Sequence, residues 1–171
     1  MDCVLCKVIG IKNLTVYEDD RIAVLLLTKG FTLGHLKVVP KKHISILEQV
    51  DDDLLNYMMI VANKFASILF ETLGLHGTNI LVQNGVDAGQ SIPHFSIDII
   101  PRKMNDGVNL KWDANKASHE SLEGMKEILI EALDNSQAKE PEQVEEKPIE
   151  EIKSNNNEDD NYLIKQLRHI P

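Results

Sequence analysis

Apolar and polar positions along this chain follow two different periods, and the change of period outlines the fold. LTVYEDD, from Leu14, is a short strand-like run ending in an acidic pair that reads as a turn. RIAVLLLT, from Arg21, is almost continuously apolar, the pattern of a buried strand. GFTLGH, from Gly30, is a loop, and LKVVP, from Leu36, predicts a strand stopped by Pro40. Over residues 51–73 the period lengthens. Leu54, Met58, Val61, Phe65 and Leu69 recur at helical spacing. Asp51, Asp52 and Asp53 supply a cap and favourable N-terminal charge, and Gly74 is a stop signal. TNILVQNG, from Thr78, predicts a strand ending in an Asn-Gly turn. The loop VDAGQS then leads into PHFSIDIIPR, residues 93–102, a predicted strand between two prolines. Strands, one long helix and more strands predict an α+β fold with a mainly antiparallel sheet.

After Arg102 the texture changes. NDGVNLKW reads as a turn and an extended segment. Residues 118–133 predict a second helix, with Ser118 as cap and Leu122, Met125, Leu129 and Ala132 on one face. Gly124 inside it weakens helix propensity by roughly 1 kcal/mol. Residues 135–160 are acidic and polar, the composition of a disordered linker. NYLIKQLRHIP, residues 161–171, then reads either as a short apolar-basic interaction motif on an acidic tether or as a fraying end. The expected organisation is a domain over 1–112, a helical extension over 113–134, the linker and the end segment.

The composition fits one globular domain with an appendage: 171 residues, 43% hydrophobic and 26% charged. The formal net charge of −9 argues against a general nucleic-acid surface. Much of that charge sits near the C-terminus, so a pocket for a small anion stays open. No apolar run approaches the ~20 residues that span a bilayer. The N-terminal MDCVLCKVIG does not read as a signal peptide, because Asp2 stands where positive charge belongs and no apolar region follows. A cytoplasmic, reducing setting is expected, and with it no disulfide between Cys3 and Cys6.

Two constellations carry chemistry. Period two on PHFSIDIIPR sets His94, Ser96 and Asp98 on one face and Phe95, Ile97 and Ile99 on the other. His, Ser and Asp are the residue types of a hydrolytic triad. Same-face residues two apart are separated by roughly 6.5–7 Å at the backbone, and Asp98 has no histidine beyond it to orient. The alternative is a polar face on a half-buried strand. Cys3-x-x-Cys6 has the spacing for two thiolates on one metal ion. A redox pair would need a strand-to-helix context that the sequence does not show. His43 and His94 are candidate further ligands, or else hydrogen-bonded histidines at strand ends.

The pieces CVLCKVIG, VYEDDRIAVLL, TLGHLKVVPKKHI, the long helix, TNILVQNG and AGQSIPHFSIDIIPR resemble the histidine triad (HIT) superfamily, in their order and spacing over roughly residues 2–112. The resemblance is to its Hint-like branch with an N-terminal C-x-x-C. It implies a small α+β fold, a homodimer, and nucleotide chemistry at an α-phosphate. It also implies a structural zinc ion on Cys3, Cys6, His43 and His94. A metal-bound His94 would have no lone pair with which to activate Ser96. The family motif is H-φ-H-φ-H, whereas this chain reads His94-Phe95-Ser96-Ile97-Asp98. Ser96 stands where the family has its nucleophile and Asp98 where the last histidine stands. Leu27 aligns with an acidic residue that bonds ribose in relatives. Asn84, Gln90 and Ser91 match positions that approach the phosphate, though Asn-Gly and Ala-Gly make loops in any fold. NDGVNLKW and the chain end resemble archaeal members, some with altered triads.

The expectation is a zinc-stabilised HIT-fold protein without histidine-nucleophile chemistry. It would bind a purine nucleotide or phosphate, or act as a regulatory module with a protein partner on residues 161–171. The alternative is a divergent nucleotide hydrolase or nucleotidyl transferase. A third reading makes the tail an intramolecular lid. Neither general nucleic-acid binding nor membrane insertion is expected.

Overall fold

The computed structural model describes residues 3–111 and 113–135. The chain divides into two units, residues 1–112 and 113–171. The first unit is a five-stranded sheet in the order β1-β2-β3-β5-β4, with every pairing antiparallel. The strands are β1 (Thr15–Glu18), β2 (Ile22–Leu26), β3 (Leu36–Pro40), β4 (Gly77–Leu81) and β5 (Ile97–Arg102). Among the described residues of this unit two α-helices accompany them, α1 (Val4–Val8) and α2 (Asp52–Leu73); the second unit holds α3 (His119–Asn135). The α+β expectation holds.

Helix α2 forms where its sequence asks for it. Asp51 caps it by accepting a bond of 2.9 Å from the Leu54 N–H. No Gly or Pro interrupts it, and Gly74 ends it in the left-handed conformation, φ 57°. Its buried stripe of Leu54, Met58, Val61, Ala62 and Ala66 packs on one face of the sheet against Val38, Phe95, Ile97 and Ile99. This is the main core, and truncating a fully buried Met58 there costs about 2–5 kcal/mol. The opposite sheet face carries a smaller cluster. Ala23, Leu25 and Val39 meet Cys3 and Leu5 of the N-terminal segment there. One sheet face is therefore closed by a long helix, and the other only by a short one. That leaves room for a site.

Three boundaries differ from the pattern reading. The Cys3–Cys6 stretch opens a five-residue helix. Strand β5 starts at Ile97 rather than His94: the His94 N–H bonds to Ile92 O at 2.7 Å and the Phe95 N–H to Ile44 O at 2.7 Å. Such i to i−2 bonding is a tight turn, not a ladder. Pro101 lies inside β5 instead of ending it. It falls beyond the β3 pairing, which covers only Ile97, Asp98 and Ile99, so only one side of Pro101 needs a ladder partner.

In the second unit, α3 starts where expected, the Ser118 hydroxyl accepting from the Ser121 N–H at 3.1 Å. Its Leu122, Met125 and Leu129 are exposed. The expected linker beyond residue 135 and the segment 161–171 lie outside the described residues.

Candidate functional site

On the lightly covered sheet face, four N and S donors converge. Cys3 precedes α1 and Cys6 sits one turn later, so both thiols leave the same side of the helix. His43 follows β3, and His94 sits in the tight turn before β5. Cys3 Sγ lies 3.4 Å from His94 Nδ1, Cys6 Sγ 3.4 Å from His43 Nδ1, and Cys6 Sγ 3.5 Å from His94 Nδ1. All four ligand atoms lie within 4.8 Å of one another. A tetrahedral ion at ordinary metal–sulfur and metal–nitrogen lengths sets its S and N ligands roughly 3.5 Å apart. The donor set therefore fits a metal centre of the Cys₂His₂ type. Its support is in place as well. His94 Nε2 and Pro40 O are 2.9 Å apart, so Nε2 carries the proton and the Nδ1 lone pair faces the thiols. Burial pushes the His94 imidazole below its ordinary pKa, with nearby His43 adding to the effect against the Pro40 carbonyl, and so favours the neutral ligating form.

Beside this corner lies a cavity of about 420 Å³. Leu5, Leu27, Phe31 and Ile92 give it apolar walls, and Lys29 stands at its edge. Its floor is polar: His35, Lys37, Ser96 and Asp98. Lys37 and Asp98 are directly opposite each other on β3 and β5. The Lys37 Nζ is 2.7 Å from Asp98 Oδ1 and 2.8 Å from Oδ2, and 3.1 Å from Ser96 Oγ. His35 Nε2 lies 2.8 Å from Asp98 Oδ1, while its Nδ1 accepts from the Phe31 N–H at 3.2 Å. His35 is thus the neutral Nε2–H tautomer, donating to an ionised Asp98. Burial alone would raise the Asp98 pKa. The His35 hydrogen bond and the Lys37 charge overcome it and hold that carboxyl below its ordinary value. Among the described residues no buried side-chain N or O lacks a partner.

The remaining candidate residues separate. Gln90 and Ser91 line the cavity. The Gln90 amide also braces its loop, accepting from Gly85 N–H at 2.9 Å and donating to Ser45 O at 2.8 Å. Asn84 is not among the lining residues. It accepts from the Leu47 N–H at 3.0 Å and donates to Glu48 Oε1 at 2.7 Å, so its side chain is spent on the short 3₁₀ turn Leu47–Gln49.

A family model described as the HIT domain matches residues 10–105. The chain belongs to the HIT family. One curated relative is the adenylylsulfatase HINT3 of Arabidopsis thaliana, 34% identical over 74% of this chain. The chain spans 64% of that relative's length. Among solved structures, a histidine triad nucleotide-binding protein from Candida albicans superposes with a TM-score of 0.68 at 26% identity, over 78% of this chain and 99% of that one. A Zn-bound histidine triad family protein from Mycobacterium smegmatis gives 0.59 at 26%, over 80% and 99%.

Within the HIT frame, the pattern reading missed His35 and Lys37 as members of the site. The signal was available. LKVVP places one lysine inside an apolar buried strand, and SIDII places one aspartate in another. A lone charge on a buried strand asks for an opposite charge on its neighbour.

Proposed function

We propose that this HIT-family protein is a non-catalytic binding module for a nucleotide or another phosphate-bearing ligand, stiffened by a structural zinc ion. The observation that carries it is the Lys37 ammonium 3.1 Å from Ser96 Oγ, at the position of the family's nucleophile. An ammonium ion-paired with Asp98 has no lone pair with which to take a proton from serine. His94, engaged with the thiols and Pro40, has none to offer either. Zinc is the ion of choice for two thiolates and two imidazoles, and it would hold the N-terminal segment to the loops that precede and follow the strands. A homodimer, an archaeal-type lineage and the extent of the domain over 1–112 rest on the family resemblance; a cytoplasmic setting rests on the N-terminal composition and the lack of a long apolar run, and the extension over 113–134 on its helical spacing. Asn84, Gln90 and Ser91 keep their proposed role near a ligand, Asn84 through the loop it braces.

The test is turnover of adenosine phosphoramidate and adenylyl sulfate by metal-analysed protein, beside calorimetric titration with AMP. The expected result is binding without turnover, with one zinc per chain. Light scattering checks the dimer, and a pull-down with residues 161–171 deleted checks the partner segment. The alternative, a divergent nucleotide hydrolase, is favoured by the adenylylsulfatase relative. Cleavage that disappears in Ser96→Ala or Asp98→Ala would establish it instead.

A further inference from the structure

The floor of the cavity is not merely a histidine centre that has lost its histidines; its donors are arranged for a task. Lys37 has three N–H donors. One reaches Ser96 Oγ and another is shared between the two Asp98 oxygens. A third remains, on a side chain that is 16% exposed and lines the cavity. Ser96 Oγ accepts from Lys37, which leaves its own O–H to donate. Asp98 is turned inward, its oxygens taken by His35 and Lys37. One Lys37 N–H and the Ser96 O–H are thus left for a ligand in the cavity that both residues line, while the carboxylate's charge is already engaged, and Lys29 among the lining residues adds positive charge. The walls are of another kind. Leu5, Leu27, Phe31 and Ile92 offer apolar surface, and Leu27 has no group with which to hold a sugar hydroxyl.

We infer that Lys37 Nζ and the Ser96 hydroxyl form an oxyanion receptor for a ligand with a phosphate-ester head and an apolar body, whose recognition does not read a ribose diol. This rests on the binding reading above and narrows its ligand class. The receptor is pre-formed, since the Asp98 pair and the His35 bond already fix the lysine, so little side-chain freedom is lost on binding. The apolar walls contribute by area and the floor by charge-assisted hydrogen bonds.

The experiment is calorimetric titration of the full-length zinc-loaded protein at pH 7 with phenyl phosphate, benzyl alcohol, AMP and 2′-deoxy-AMP. Phenyl phosphate and AMP are expected to bind, and benzyl alcohol at least about 100-fold more weakly. Ser96→Ala, which leaves the ion pair intact, should weaken phenyl phosphate roughly tenfold, and Lys37→Gln roughly 100-fold. Near-ultraviolet circular dichroism confirms folding of each variant, and Ser96→Ala carries the test alone if Lys37→Gln does not fold. Removal of the 2′-hydroxyl should change AMP affinity less than about twofold. AMP binding that neither variant weakens, or a roughly tenfold loss on removing the 2′-hydroxyl, overturns this inference and leaves nucleotide binding standing. Failure of both phosphate esters to bind the wild-type protein overturns both readings.

Discussion

The metal corner and the cavity floor are neighbours that share the HFSID stretch of chain, yet they solve opposite problems. The corner gathers four lone-pair donors, Cys3, Cys6, His43 and His94, with no positive group among them. It is a set that a cation would complete. The floor gathers His35, Lys37, Ser96 and Asp98, in which acid and base already balance and, among the described residues, no buried side-chain N or O lacks a partner. It is complete without a ligand. The two halves of HFSID therefore have separate partners, His94 a donor set that could hold a metal and Asp98 the Lys37 ammonium.

The largest effect should come from the corner. Chelation of the metal, or Cys3→Ser, should lower the melting temperature by on the order of 10 °C or more, because metal binding is coupled to folding. Thermal unfolding with and without chelator checks it, and an unchanged midpoint would place the corner on the same footing as the floor. Next comes the ion pair. Lys37→Met leaves Asp98, whose side chain is 4% exposed, without its counter-charge and with only the His35 hydrogen bond, and should cost about 3 kcal/mol. The double change Lys37→Met with Asp98→Leu removes both charges and should recover most of that loss. A double-mutant cycle by urea denaturation should give a coupling energy above about 1 kcal/mol, and additive effects would show that the floor is not a balanced pair.

A pH series separates the regions more finely. The folded-state pKa of Asp98 is lowered from an ordinary 3.8, by His35 and Lys37 against the opposing effect of burial. The unfolded state therefore binds more protons between the two values, and stability rises with pH across that window. The contribution of Asp98 is fully present above the ordinary value and is lost as pH falls through the folded one. Asp19 behaves in the same sense. Burial opposes ionisation there too, but the Tyr57 hydrogen bond and the Ile22 and Arg21 N–H groups bring it down to about 2. In Asp98→Asn the acid limb of stability against pH should flatten while the Asp19 part remains, read from urea midpoints between pH 2 and 6. An acid limb identical to wild type would count against the ionised network. The smallest effect belongs to Ser96. Its hydroxyl gives up one bond at 3.1 Å, so Ser96→Ala should cost about 0.5–1.5 kcal/mol by the same denaturation. A loss above about 3 kcal/mol would make it a structural member of the floor rather than a ligand donor.

The sheet and long helix were legible because they rest on local rules. Period two in RIAVLLLT and LKVVP and the spacing from Leu54 to Leu69 describe which side chains share a face. Asp51 and Gly74 cap and stop α2 as their chemistry demands. The Cys₂His₂ set was legible through the family resemblance. The cavity was not. Asn84 and Gln90 stand six residues apart near one loop, yet one side chain braces the turn at Leu47 and the other lines the cavity. A turn propensity says that a loop forms and is silent about where its amides go.

The residues by themselves determined the fold class and the Cys3-x-x-Cys6 pair with His43 and His94 as candidate partners, and the resemblance added that HFSID lacks two histidines of the family motif. These depend on residue identity and on spacing along the chain. Tertiary structure alone decided that Lys37 stands opposite Asp98, 61 positions away, and that His35 closes the network from the other side. Register between distant strands is set by the packing of whole faces, because a slip of one residue would turn every side chain to the other side. That register places an ammonium over Ser96, and so turns a motif that reads as a loss into a floor with donors of its own.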